Sequence, residues 1–265
     1  MTNYAFGDSD LAVERLARVA ELFAPPSARF LGASVGLPVS LAVDLGCGPG
    51  YTTRLLAEVV RPARTVGLEA SARLVEVARG AARAADLVGA PEFLRHDVTA
   101  VPFPVGPADL VYARLLVSHL SDPAAALAAW ATQLAPGGLL LLDEVEWIRT
   151  DEPALATYLE VVAELLERRG HRLDPGPLLE ALPDPPGLRR QASAVATLSP
   201  GVRRAAATFG LNLRIWGADP FVLAAHAGLP ERLGAELAAL AGRPDRDGIT
   251  WGMRQIVYRR TPASA

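Results

Sequence analysis

From residue 9 to about residue 23, Leu11, Val13, Leu16, Val19, Ala20 and Phe23 recur at helical spacing with charges between them, predicting an amphipathic helix that Pro25 and Pro26 end. Short apolar runs then alternate with Ala/Leu/Arg-rich stretches. The compact runs at 41–45, 65–68, 92–95, 109–113 and 139–145 read as strands. Residues 52–60, 71–85 and 123–134 read as helices, the last closed by Pro136, Gly137 and Gly138. Five strands with intervening helices in about a hundred residues mean βαβ units with right-handed crossovers, hence an α/β fold with a doubly wound, mostly parallel sheet.

After Val145 the rhythm changes. Helical patterns cover 153–169, 177–182, 202–226 and 230–241, while 191–198 and 249–259 alternate like strands. In the final strand Ile249, Trp251, Met253, Gln255 and Val257 share one face. The aromatic helical stretch at about 200–245 falls between the last two strands, as an inserted cap does. The expected organisation is a single domain over 1–265: a helical lead-in at 1–35, a ligand-binding core at 36–150, and a substrate-side half at 151–265.

Composition narrows the classes of function. The chain has 265 residues, 51% of them hydrophobic and 21% charged, enough to build a sizeable core and too balanced for a disordered chain. All 26 basic residues are Arg and are scattered among 29 acids, giving a net charge of −3 and no basic stripe for a nucleic-acid backbone. The densest apolar run, 139–142, stops at Asp143 and Glu144, so no membrane span is expected, and the N-terminus lacks the pattern of a signal peptide. One cysteine, Cys47, excludes an intramolecular disulfide. The expected compartment is the cytoplasm and the expected partner a small molecule; a homodimer stays open.

The informative segment is Val43-Asp44-Leu45-Gly46-Cys47-Gly48-Pro49-Gly50, a buried strand running into a glycine-rich turn and a helix. Glycines let the backbone approach a ligand, and open parallel sheets bind ligands at the carboxyl ends of their strands. The dinucleotide fingerprint G-x-G-x-x-G fits Gly46 and Gly48, but Tyr51 takes its third glycine position. No phosphate-binding Lys follows. Glu69 ends the second strand about 20 residues on, where a carboxylate accepts both ribose hydroxyls of a nucleoside.

The loop resembles motif I of the class I S-adenosylmethionine (SAM)-dependent methyltransferases, D/E-x-G-x-G-x-G, with Asp44, Gly46, Gly48 and Gly50 in every fixed position. The Asp109-Leu110-Val111 strand and Leu134-Ala135-Pro136-Gly137-Gly138 match further family patterns, so the resemblance runs over about residues 40–145. It implies a seven-stranded, mostly parallel sheet with an N-terminal helix and a helical cap. It implies SAM as cofactor, S-adenosylhomocysteine as product, and Glu69 on the ribose. It also implies that Asp97 and Val98 contact the adenine, that Cys47 fills a small space in the loop, and that Tyr4, Thr53, Ala70 and Arg114 lie against SAM.

Methyl transfer is an in-line displacement in which positioning and dehydration do most of the work, so a catalytic base is optional. His119, beyond the fourth strand, is the candidate base for a hydroxyl acceptor; a turn or capping role is the alternative. His96 reads as structural, and His171 and His226 lie on the cap side. Phe209 and Trp216 are candidates for the acceptor pocket, as a lid, against the plainer reading that they are core. Asp143 faces away from Glu144 and Glu146 by strand alternation, so the three do not converge on a metal, and no metal is expected. The leading expectation is methylation of a small molecule, at a hydroxyl oxygen of a secondary metabolite. N- or C-methylation, a SAM-binding cyclase that transfers no methyl, and an NAD-dependent dehydrogenase are the alternatives.

Overall fold

The structure, a computed structural model, describes residues 7–36, 38–85 and 89–261. Tyr4 lies outside the described residues. Helix α1 (Asp10–Ser34) opens on Ser9, whose hydroxyl accepts from the Ala12 N–H at 3.3 Å. It runs through Pro25 and Pro26 instead of ending there. A proline inside a helix removes a backbone hydrogen bond and costs about 3 kcal/mol. The turns beyond the prolines offset this by burying Pro26, Ser27, Phe30 and Leu31 against the sheet.

A run of strands and helices follows. Strand β1 (Leu41–Leu45) leads to α2 (Tyr51–Val60), β2 (Arg64–Glu69) to α3 (Ala72–Ala85), and β3 (Glu92–Arg95) to β4 (Ala108–Arg114). Helix α4 (Pro123–Thr132) then precedes β5 (Leu134–Thr150). The motif at 134–138, expected as a turn, is the irregular beginning of β5, with a register shift against β4 between Ala108 and Leu110. At its other end β5 outruns the apolar stretch because β7 pairs with it as far as Thr150.

The second half contributes α5 (Pro153–Arg168), α6 (Gly176–Ala181) and β6 (Leu188–Leu198). Helices α7 (Val202–Trp216), α8 (Pro220–Ala225) and α9 (Leu229–Ala241) come next, and β7 (Ile249–Arg260) ends the fold. The stretch read as one helix over 202–226 is two, because Gly217 terminates α7 and Asp219 caps α8 through the Phe221 N–H.

The seven strands form one sheet in the order β3-β2-β1-β4-β5-β7-β6, parallel except for β7, which is antiparallel to both its neighbours. The order reverses between β1 and β4, so their carboxyl ends border the crevice in which such sheets take ligands. One face of the sheet packs on α1 and α2 through Ala42, Leu110, Tyr112 and Leu141. The other packs through Val43, Val111, Leu140 and Leu142 around Trp130 of α4. A separate apolar cluster joins α5, α7, α8 and α9 to the start of β7, so the cap has its own core.

Candidate functional site

The loop after β1 is built for close approach. Gly46, Gly48 and Gly50 have φ of 63°, 54° and 82°, the left-handed region that favours glycine. At Gly50 an added Cβ would stand 2.7 Å from the Phe93 ring. Gly67 on β2 has the same role beneath the loop, where a Cβ would come within 2.7 Å of Cys47 Sγ and 2.8 Å of Thr53 Oγ1. Cys47 is buried there, its thiol pushed well above the usual range by desolvation and then by Asp44, so it fills space and is no nucleophile.

Glu69 stands at the carboxyl end of β2, with Oε2 accepting from the Gly48 N–H at 3.0 Å and Oε1 from the Ser71 N–H at 2.8 Å. Its carboxyl pKa is raised, by burial first, against the lowering effect of these backbone bonds. The acid and the loop are therefore one unit. The amino end of α1 lies over it: Leu16 is 3.7 Å from where a Gly48 Cβ would be, Asp8 accepts from the Ser71 hydroxyl at 2.7 Å, and Arg73 pairs with Asp10.

Asp44 is placed underneath, not at the surface of the crevice. It is buried and accepts from the Thr53 hydroxyl at 2.7 Å, which ties β1 to α2. Burial pushes its carboxyl up to about 7, partly countered by Thr53 and Arg114. Glu144, also buried, is pushed up to about 8. Between pH 4 and 8 the folded chain therefore holds protons at these two sites that the unfolded chain releases. Their contribution to stability is greatest at the acidic end, falls as pH rises through that window, and levels off above about 8. Asp44→Asn, whose amide oxygen still accepts from Thr53, is expected to remove up to about 4 kcal/mol of that dependence. Urea unfolding of both proteins at several pH values measures the difference.

Arg114, at the end of β4, donates to Thr52 Oγ1 at 2.8 Å and to Ser27 Oγ at 3.3 Å, joining the loop helix to α1. Ser27 in turn donates to Asp143 Oδ2 at 2.6 Å, which also accepts from the Tyr112 hydroxyl at 3.0 Å, while Gln255 donates to Oδ1 at 3.1 Å. Sequence reasoning missed Ser27 and this network; the polar Gln255 on an apolar strand face was its one outward sign. Ala70 lies between Glu69 and Ser71, its carbonyl accepting from Arg95 at 3.2 Å. Asp97 is exposed and turned into its own loop, accepting from the Thr99 N–H at 3.0 Å and hydroxyl at 2.7 Å. Val98 is buried, with its carbonyl on Trp130.

On the acceptor side, His119 lies in a 3-10 turn, Val117–His119, after β4. Desolvation, then the charges of Arg15 and His171, push its imidazole down to about 3, so it is neutral at physiological pH and weakly basic. The His171 ring stands 6.2 Å away, edge to face. His226 instead meets Glu164 at 2.9 Å, and His96 meets the Ala100 carbonyl at 2.8 Å. A polar line enters the cap from α1: Arg15 donates to Asn212 Oδ1 at 3.3 Å, and Asn212 donates to the Tyr158 hydroxyl at 2.7 Å.

Phe209 and Trp216 are filled in by protein on the cap side. Phe209 stacks on Tyr158 at 4.0 Å, Trp216 lies 5.6 Å from the same ring, and both belong to the cap core. Trp216→Ala is expected to cost about 3–5 kcal/mol of stability with little change in nucleoside affinity; denaturant unfolding and calorimetry measure the two. Of the three acids of β5, Asp143 faces away from Glu144 and Glu146 as strand alternation requires, and each of the three has partners of its own. Asp143 joins Ser27 and Tyr112, Glu144 accepts from the Leu116 and Val117 N–H groups, and Glu146 takes Arg254 through both oxygens.

Residues 43–142 match the model of a family described as a methyltransferase domain. Trans-aconitate 2-methyltransferase of Paracidovorax citrulli (strain AAC00-1) is 34% identical over 132 residues, 48% of this chain and 48% of that protein. Malonyl-[acyl-carrier protein] O-methyltransferase of Serratia marcescens is 34% identical over 113 residues, 43% of this chain and 41% of that protein. The chain spans less than half the length of the curated relatives it matches. Among solved structures, phospholethanolamine N-methyltransferase 2 of Haemonchus contortus, in complex with phosphomonomethylethanolamine and S-adenosylhomocysteine, superposes with a TM-score of 0.56 at 15% identity, over 94% of this chain and 57% of that one. That likeness is one of fold. Among the described residues no helix is long and apolar enough to cross a membrane.

Proposed function

We infer, from the class I SAM-dependent methyltransferase domain that this chain carries, that it moves the methyl group of SAM to an oxygen of a small-molecule acceptor. The observation that carries this reading is the pairing of a left-handed glycine loop with a half-buried acid, Glu69 bonded to Gly48 at 3.0 Å.

The residues present fit the cofactor. The carboxylate of Glu69 suits a ribose diol, and the glycines leave no side chain between backbone and ligand. The amino end of α2, which follows Gly50 directly, favours a carboxylate such as that of an amino acid. When bound, SAM supplies a methyl group activated by its sulfonium. The chain does the rest. Glu69 and the loop orient the nucleoside; Asp97 and Val98 lie at the adenine end; Thr53 and Asp44 keep the loop in shape from below; Arg114 ties α2 to α1, which shields the site from water. Alignment of this kind accounts for as much as ~7–11 kcal/mol of a barrier.

His119 marks the acceptor end. An imidazole held near 3 takes a proton poorly from an aliphatic alcohol. It suits an oxygen acidic enough to arrive ionised, and its role is then to bound and orient that oxygen. Incubation with SAM and a panel of carboxylic acids, phenols and alcohols, followed by mass spectrometry, tests the reading. The expected result is S-adenosylhomocysteine and a methylated acid or phenol. A cyclase on the same scaffold would convert its substrate and leave SAM intact, and that result would overturn methyl transfer.

A further inference from the structure

Leu115, the residue after β4, has φ of 53°. A branched residue in the left-handed region costs about 1–2 kcal/mol and persists only where its surroundings over-determine it. The restraints are on either side of it. The Leu115 N–H bonds the Asp143 carbonyl at 3.2 Å, and the next two N–H groups, of Leu116 and Val117, both bond Glu144 Oε1, at 2.8 and 2.9 Å. His119 and Leu120 then close the turn onto the Leu116 and Val117 carbonyls. Glu144 is fully buried, and its second oxygen meets no hydrogen-bond partner among the described residues.

We propose that Glu144 is a positioning residue for methyl transfer: its carboxyl group clamps the strained turn after β4 and so sets where Leu116 and His119 stand against the glycine loop. The proposal rests on the methyl-transfer reading above. Leu116 is the contact between the two parts, since its Cδ1 lies 2.7 Å from where a Gly46 Cβ would be, and His119 closes the same turn. Displacing a turn that touches cofactor loop and acceptor end together by about 1 Å costs on the order of 100-fold in rate.

The clamp works as the neutral acid. Among the described residues no cation is paired with it: burial and then Asp143 beside it on β5 disfavour a charge, Arg114 on β4, which favours one, is engaged by Thr52 and Ser27, and Arg254, opposite on β7, is taken by Glu146. A carboxylic acid still offers one carbonyl oxygen to both N–H groups. Ionisation would strengthen the two N–H bonds but put a charge in the interior, and the larger burial cost favours opening of the turn to water.

Glu144→Gln, Glu144→Ala, Leu115→Gly and the Ala/Gly double variant, each in the full chain, test this. Steady-state kinetics from pH 6 to 9.5 would be read with S-adenosylhomocysteine titration and urea unfolding. Glu144→Gln keeps the carbonyl acceptor and cannot ionise. It is expected to hold kcat within about threefold at pH 7 and to lack the fall in kcat expected of the parent above about pH 8. Glu144→Ala is expected to lose about 100-fold in kcat, and less than that when Leu115→Gly has already relieved the strain.

Equal losses for the Gln and Ala variants at pH 7 would overturn the proposal, as would a parent-like Ala variant or an unchanged Ala cost in the Leu115→Gly background. Should the Ala variant not fold, the Gln profile decides, and a retained fall above pH 8 overturns the clamp. If the parent binds no S-adenosylhomocysteine, the methyl-transfer reading has failed instead. The coupling of positions 115 and 144 in unfolding then still reports on the clamp.

Discussion

Glu69→Ala is expected to weaken S-adenosylhomocysteine binding by about 100- to 20,000-fold, because two hydrogen bonds to a charged acceptor are lost at about 1.5–3 kcal/mol each. The acid is half-buried and already holds Gly48 and Ser71 by their N–H groups. Its removal therefore takes away the ligand's partner and slackens the loop at once. Glu69→Gln separates the two effects. An amide oxygen still accepts from one backbone N–H, yet the amide cannot accept both ribose hydroxyls with the strength of a carboxylate, so the affinity loss should stay above tenfold while stability recovers. Calorimetric titration of each variant gives the affinity and urea unfolding the stability. An affinity for Glu69→Ala within threefold of the parent would remove the acid from the nucleoside site.

The second large effect is expected at Gly50. Valine there would have to hold φ near 82° and place its Cβ 2.7 Å from the Phe93 ring and 3.2 Å from Ala78. The left-handed conformation costs about 1–2 kcal/mol, and overpacking a rigid ring adds about 1–3 kcal/mol. Gly50→Val should thus lose about 2–5 kcal/mol of stability by these two costs and bind no measurable S-adenosylhomocysteine. Gly80, inside α3 with nothing within 4 Å of an added Cβ, is the contrast. Gly80→Ala should gain about 0.5–1 kcal/mol, as a helix interior does when glycine is replaced, and leave binding alone. If both substitutions behaved alike, the positive φ and the Phe93 contact would not be what fixes the loop.

Much of the frame was legible in the chain. The strands 41–45 and 92–95 coincide with β1 and β3, and Glu69 ends β2 as expected, because short apolar runs bounded by turn residues admit few other readings. The divergence of Asp143 from Glu144 and Glu146 followed from strand alternation alone. The errors have a common origin. Pro25 and Pro26 stop a helix that has only local bonds to lose, but α1 continues because Ser27 and Leu31 find partners on strands more than a hundred residues or several elements away. The stretch 134–138 becomes strand because β4 lies beside it. Phe209 and Trp216, open in the sequence between pocket and core, stand against Tyr158 in the cap cluster, neighbours that no linear pattern names.

The sequence by itself determined the alternation of strand and helix, the glycine turn and the acid that serves it, since each depends on backbone conformations and spacings encoded within a few tens of residues. Tertiary structure alone decided that Asp44 is a buried tie to Thr53, that His171 and Arg15 lie near enough to His119 to depress its imidazole, and that Leu115 is strained beneath the hold of Glu144. Those properties come from burial and from charges that chain folding brings together from distant positions. Desolvation and Coulomb interaction depend on distance in space, which a linear pattern does not contain.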